Sequence, residues 1–229
     1  MTEAVAPTKD PARTSTWQMY RAMVGIGVGC GILIVGVFQA TLPRIERNKA
    51  EALQAAIFRV LPAAKTSETY AYKAPGGFAA VEGDPGDSPR VYAGYDDQNE
   101  LVGIAVEAAG MGYQDVIGII YGYSFEDQAV IGIQVLESKE TPGLGDKIET
   151  DPGFLQNFER LDVSLAEDGA GLANAVVAVR HGEKEHPWEV DGITGATISS
   201  VAIAAILNGS ADVWASRIQQ GLDDLRGGE

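Results

Sequence analysis

The stretch Asp191–Ser200, "DGITGATISS", sets a hydroxyl, Thr197, directly after Gly195 and Ala196 and just ahead of a long apolar helical pattern. The start of a helix leaves several backbone N–H groups without internal partners, and the helix dipole adds partial positive charge there. A phosphate is favoured at such a place, by about 0.3–1 kcal/mol from the dipole alone, plus its hydrogen bonds. The two small residues leave room for a bulky group close to the backbone. The competing role is a cap, in which Thr197 or Ser199 satisfies the same N–H groups. Local physics alone favours the cap.

A second stretch, Glu137–Thr150, reads "ESKETPGLGDKIET". Its Pro-Gly-x-Gly core bends sharply and lets backbone approach a ligand closely. On its own it is an ordinary turn. The two histidines, His181 and His186, flank "GEKE" and read as solvated turn residues, because no third ligand stands at a matching spacing. The single cysteine, Cys30, excludes an intramolecular disulfide and a cysteine-based metal site. No metal site and no catalytic acid or base stands out.

These residues need elements to position them. The chain has 229 residues, 45% hydrophobic and 21% charged, enough for a real core. A net charge of -15 argues against nucleic-acid binding, which needs basic patches. Residues 22–43, "AMVGIGVGCGILIVGVFQATLP", carry no charge and span roughly 33 Å as a helix, enough to cross a bilayer core. The run is longer than a signal core and lacks a good cleavage pattern, so it reads as an uncleaved membrane anchor. Gly25-x3-Gly29 and Gly27-x3-Gly31 suit close packing against a partner helix. Lys9, Arg13 and Arg21 precede the span and Arg44, Arg47 and Lys49 follow it, so charge leaves the orientation tied.

Beyond the span, residues 44–60 read as a helix with Ile45, Leu53, Ile57 and Val60 on one face, starting after a break near Pro43 and ended by Pro62. "RVYAGYD" and "LVGIAVEAA" form one expected hairpin, and "DVIGIIYGYS" and "AVIGIQVLES" a second. "DPGFLQNFERL" suggests a short helix and "NAVVAVRHGEKEHPWEVDGI" a further strand pair. A final helix is expected from about Ile198 to Leu225, with Val201, Ala204, Ala205, Ala211 and Val213 as its apolar face. The expected fold class is α+β: a tail at 1–21, a transmembrane helix at 22–43, and one domain with a mostly antiparallel sheet and packed helices at 44–229.

"DGITGAT" resembles the flavin-attachment motif of the FMN-binding domain family. "KETPGLG" resembles a segment of the G subunits of Rnf ion-translocating electron-transport complexes, and of the related C subunits of sodium-pumping NADH:quinone reductases. The resemblance runs through the anchor, "NKAEALQAAIFRVLPAA", both hairpins, "KETPGLGDKI" and "DGITGATISSVAIAAILN". It implies FMN joined through its phosphate to Thr197 as a phosphodiester, made by a separate flavin transferase. It implies that Thr194, Gly195 and Ala196 shape the phosphate entrance, and that Asp191 serves the transfer reaction or holds the turn. Glu140, Thr141, Gly143, Leu144 and Gly145 are expected beside the isoalloxazine. Lys147 favours an anionic reduced flavin or pairs with Asp146. Where relatives have a Gly-Tyr-Gly-Gly-like stretch, this chain has "AGMGYQDVIG", offering Met111 and Tyr113 to the flavin.

The implied function is that of an electron carrier between ferredoxin and NAD in an inner-membrane complex that moves Na+ or H+. The other members of the complex are its partners, and its domain faces the periplasm. The alternatives are the C-type relative of the quinone reductase and a flavin-free anchored binding domain in which Thr197 is only a cap.

Overall fold

The structure, a computed structural model, describes residues 16–73, 77–81 and 88–226. The basic residues Lys9 and Arg13 and most of the expected tail at 1–21 lie outside the described residues. The chain divides into two compact units, Met1–Ala50 and Glu51–Glu229.

Helix α1 runs from Thr16 to Val60. In the first unit its large apolar side chains from Trp17 to Phe38 are exposed. The helix is long and apolar enough to cross a membrane. The break expected near Pro43 is absent, because α1 passes through that residue. Proline deletes one backbone donor, which an apolar helix tolerates when side chains satisfy the freed carbonyls. The carbonyl that Pro43 frees is that of Gln39; the nearby Thr41 hydroxyl donates to the carbonyls of the turn before it, Val37 (2.9 Å) and Phe38 (3.1 Å).

The second unit is built on a seven-stranded antiparallel sheet. Its strands are β1 (Thr66–Lys73), β2 (Gly77–Ala80), β3 (Arg90–Tyr95), β4 (Leu101–Met111), β5 (Val116–Ser124), β6 (Ala129–Glu137) and β7 (Leu161–Asp162). They lie in the order β2-β1-β3-β4-β5-β6-β7. Both expected hairpins form, β3–β4 and β5–β6, and β4 also pairs with β5, so the four make one meander. The fold is α+β, with an apolar first helix and a mostly antiparallel sheet carrying helices.

Strand residues alternate between two apolar clusters, one on each face. On one face Tyr92, Ala105 and Ile120 meet Ala56, Ile57, Val60 and Leu61 at the end of α1. The helix end sits so close that a Cβ on Gly122 would lie 2.3 Å from the Val60 carbonyl oxygen. Ile57 and Val60 are buried as expected and Leu53 packs against them, whereas Ile45 is exposed.

On the other face Ile104, Val106, Ile117, Ile119 and Tyr121 pack on helix α3 (Thr197–Gln220). This helix is also apolar enough in composition to span a membrane, but its buried side is a core face. That side is Ala202, Ile203, Ala204, Ile206, Leu207 and Ala211. Val201, Ala205 and Val213, expected on it, are exposed. α3 stops at Gln220, and a separate turn, α4 (Leu222–Leu225), follows.

The short helix α2 (Pro152–Gln156) is capped by Asp151, whose carboxylate accepts from the Phe154 N–H at 2.9 Å. The late strand pair, β8 (Val177–Val179) with β9 (Glu189–Asp191), is parallel and separate from the main sheet.

Candidate functional site

The first turn of α3 is the centre of the site. Gly195 holds φ at +86°, a conformation open to glycine at little cost, and so turns the chain into the helix. Ser200, fully buried, fixes that turn from inside: its hydroxyl accepts from the Ile193 N–H (3.1 Å) and donates to the Ala196 carbonyl (3.0 Å). The first helical N–H paired in the turn is that of Ser200, to the Ala196 carbonyl at 2.9 Å.

Neither capping role expected of the hydroxyls is found. Ala196 occupies the cap position with no side-chain cap bond. Thr197 is exposed, and among the described residues its hydroxyl makes no hydrogen bond. Ser199 turns inward instead and donates to the Glu140 carboxylate.

Beside this turn lies a half-open cleft of about 370 Å³, within the range of small-molecule sites. One wall is Gly195, Ala196, Thr197, Ile198 and Ser199, and the other is Glu140, Thr141, Leu144 and Gly145, with Tyr113 at the edge. The structure thus brings Thr197, Gly195 and Ala196 together with Glu140, Thr141, Leu144 and Gly145. Sequence separations of 50 to 59 residues, from Gly145–Gly195 to Glu140–Ser199, are closed by α3 lying against the turn after β6.

Other candidates fall elsewhere. Gly143 holds φ at +77°, and no described protein atom lies within 4 Å of the position a Cβ would take, so the bend itself calls for glycine there. Asp191, Thr194 and Lys147 line a neighbouring hollow of about 210 Å³ with His181. Asp191 ties the loop before β9 by accepting from the Gly182 N–H (2.6 Å), and its other oxygen lies 3.3 Å from His181 Nδ1. His186 stacks on Trp188 with centroids 4.5 Å apart. Met111 belongs to a shallow apolar groove between β4 and α3.

Several contributors were not singled out by sequence. Asn157, buried after α2, accepts from the Asp191 N–H (2.9 Å) and donates to its carbonyl (3.1 Å), fixing β9. Lys184 donates to the same Asn157 oxygen at 3.1 Å, and burial pushes its ammonium below the usual lysine range. Ile198 lines the cleft from the first turn of α3, beside Ser199, which the sequence offered only as a cap. A pair of serines at the head of an apolar helix was the available signal. The Lys139 ammonium, 2.5 Å from Asp115, holds that exposed carboxyl below its usual range.

A cleft of this kind, with a free hydroxyl at the head of a long helix on an antiparallel sheet, defines a small-molecule-binding α+β domain, and its class is matched directly. Residues 112–212 match the FMN-binding domain family. Over 193 residues the chain is 30% identical to the G subunit of the ion-translocating oxidoreductase complex of Methanosarcina acetivorans, covering 83% of this chain and 89% of that one. It is 31% identical over 131 residues to the G subunit of the Na(+)-translocating ferredoxin:NAD(+) oxidoreductase complex of Acetobacterium woodii, covering 57% of each. The fold is shared with a crystal structure of the C subunit of Na(+)-translocating NADH-quinone reductase from Parabacteroides distasonis. That likeness has a TM-score of 0.57 and 20% identity, over 81% of this chain and 98% of that one. The chain belongs to the family of G subunits of ion-translocating oxidoreductase complexes, and it carries an FMN-binding domain.

Proposed function

We propose that the chain holds FMN as a phosphodiester on Thr197 and carries electrons between ferredoxin and NAD in an Rnf-type complex that moves Na+ or H+. The observation that carries this reading is the Thr197 hydroxyl. It is exposed, free of any cap bond, and stands at the mouth of the cleft inside "DGITGAT". FMN supplies the redox chemistry when bound, taking up and giving out electrons at its ring.

The chain's own residues do the rest. The N–H groups of the first turn of α3 and the positive end of a helix of 24 residues receive the phosphate. Gly195 and Ala196 keep side chains out of its way. Leu144 and Ile198, both more than half exposed, supply apolar contact that keeps water from the ring. Asp191, with Asn157 and Gly182, holds the motif's entry strand while a flavin transferase makes the bond. Helix α1 anchors the domain in the inner membrane, with the domain on the periplasmic side and the other members of the complex as partners.

The test is intact mass. Chain produced with a flavin transferase should exceed the sequence mass by one FMN residue, and Thr197→Ala should remove that increment while the fold persists. Flavin still attached in the Thr197→Ala chain would sink the assignment. External protease on spheroplasts should digest the domain; protection there, with cleavage in inverted vesicles, would reverse the orientation.

A further inference from the structure

Two walls of the cleft meet on one buried side chain. Glu140 is only 6% exposed. Its Oε1 accepts from the backbone N–H groups of Tyr113 (2.9 Å) and Gln114 (3.0 Å), in the loop after β4. Its Oε2 accepts the Ser199 hydroxyl from the first turn of α3. Glycines make the space for it. A Cβ on Gly112 would lie 2.6 Å from Oε1, and one on Gly145 would lie 2.7 Å from Oε2. Hydrogen bonds to a carboxylate are roughly twice as strong as neutral ones. A buried carboxylate that lost its donors would be costly, so all three partners are held in place.

The Tyr113 side chain is held by little of its own. It is 62% exposed and edges the cleft, and among the described residues its phenol makes no hydrogen bond. Its position is set through its backbone. Two further links join the same segments: Gln114 Nε2 to Thr141 Oγ1 (2.8 Å) and Lys139 to Asp115. Both are exposed, and exposed polar links of this kind contribute little.

We propose that Glu140 is a positioning residue whose buried carboxylate holds Tyr113 as the aromatic wall of the cleft, locked to the same helical turn that carries Thr197. The proposal rests on FMN occupying this cleft. Glu140 acts through Tyr113, so the two residues share one effect: how far solvent reaches the flavin.

The test uses the full chain in detergent, loaded by a flavin transferase, with iodide quenching of flavin fluorescence as readout. Tyr113→Ala defines the open-wall value. Glu140→Ala should reach that value, and the double variant should go no further. Glu140→Gln should stay near the parent, because its amide oxygen still accepts from Tyr113 and Gln114. Ser199→Ala removes only the arm to α3 and should open the cleft part of the way, which keeps the test decisive if Glu140→Ala does not fold. Hydrogen exchange on flavin-free chain is the independent arm. There Glu140→Ala should speed exchange of the Tyr113 and Gln114 amides roughly ten- to a hundred-fold, while Glu140→Gln leaves them protected. Additive quenching in the double variant, a glutamine variant as open as alanine, or unchanged exchange in Glu140→Ala would each overturn the proposal. If the parent chain carries no flavin, the covalent assignment fails, and the exchange arm still decides whether Glu140 clamps the loop.

Discussion

Gly143 and Gly145 stand two residues apart in one turn, yet the structure gives them different reasons to be glycine. At Gly145 a Cβ would meet Glu140 Oε2 at 2.7 Å, Ser199 Oγ at 2.8 Å and Glu140 Cβ at 3.0 Å. Forcing a methyl into packed surroundings costs about 1–3 kcal/mol. Displacing the carboxylate also weakens its bond to Ser199, and hydrogen bonds to charged groups contribute about 1.5–3 kcal/mol. Gly145→Ala should therefore cost about 2–4 kcal/mol, or roughly 5–15 °C in Tm for a domain of this size. At Gly143 there is open space but φ is +77°, so Gly143→Ala should cost only the left-handed penalty of about 1–2 kcal/mol. The two ranges meet, so the decisive measurement is a double-mutant cycle, read by thermal unfolding of the full chain in one detergent. In a Glu140→Ala background the methyl on residue 145 no longer meets Oε2 or weakens a carboxylate bond, though Ser199 Oγ and the residue-140 Cβ stay close, and its penalty should shrink by more than about 1 kcal/mol. The penalty at residue 143 should not change. Equal coupling at the two positions, or a Gly143→Ala chain less stable than Gly145→Ala, would refute the argument that the turn is built around the buried carboxylate.

Thr197→Ala should leave Tm within about 2 °C of the parent, because the hydroxyl caps nothing; a loss near the ~1 kcal/mol typical of a true cap would show that it does. Ser200→Ala should be worse, costing about 1–3 kcal/mol, since it strips the partner from the buried Ile193 N–H; it should also slow flavin attachment by loosening the Gly195–Ala196 turn, measurable as the rate of mass gain. Tyr123→Phe should stabilise by about 1 kcal/mol, because the buried hydroxyl finds no hydrogen-bond partner among the described residues. Burial pushes that phenol up from 10.0 to about 12. A raised value in the fold means that its contribution is intact below about pH 10 and is lost as pH rises through about 12. The phenylalanine chain should therefore show a shallower alkaline loss of stability over that window.

What could be read from the sequence divides along physical lines. The β3–β4 and β5–β6 hairpins were legible because short turns separate long apolar runs. β1 and β2 were not, because β1 buries only two adjacent residues, Tyr70 and Ala71, and shows no clean alternation. The parallel direction of β8 and β9 depends on three residues each and carries no local signature. The buried side of α3 was misjudged because small and apolar residues surround the helix, leaving periodicity little to grip. Its two buried serines look polar in sequence: Ser199 is satisfied by a distant partner, Glu140, and Ser200 by the Ile193 N–H and Ala196 carbonyl of the turn just before it. The motif residues Gly195, Ala196 and Thr197 could be named from spacing and resemblance. The place of Glu140 could not be derived locally, because its donors lie 26, 27 and 59 positions away.

The openness of the cleft bears on why a flavin here would be tethered. Tyr113, Leu144 and Ile198 are 62%, 51% and 57% exposed and the cleft is half-open, so its walls leave part of a flavin uncovered. A site that binds by contact alone buries about 70–90% of its ligand and must offset several kcal/mol of lost translational and rotational freedom. A phosphodiester to Thr197 removes that requirement. The ring then docks from an effective concentration in the millimolar range, and the walls need only favour the docked over the swung-out position. A few apolar contacts and one fixed aromatic edge suffice for that, and they leave the rest of the ring open for electron exchange with a neighbour. Under the proposed attachment, the exposed rim and the exposed threonine are therefore consequences of one another. A variant chain without Thr197 should lose FMN on simple gel filtration, with no tight residual binding at the cleft. Retention of stoichiometric, non-covalent FMN by Thr197→Ala would mean that the walls bind the ring on their own, and that the tether serves some purpose other than holding it.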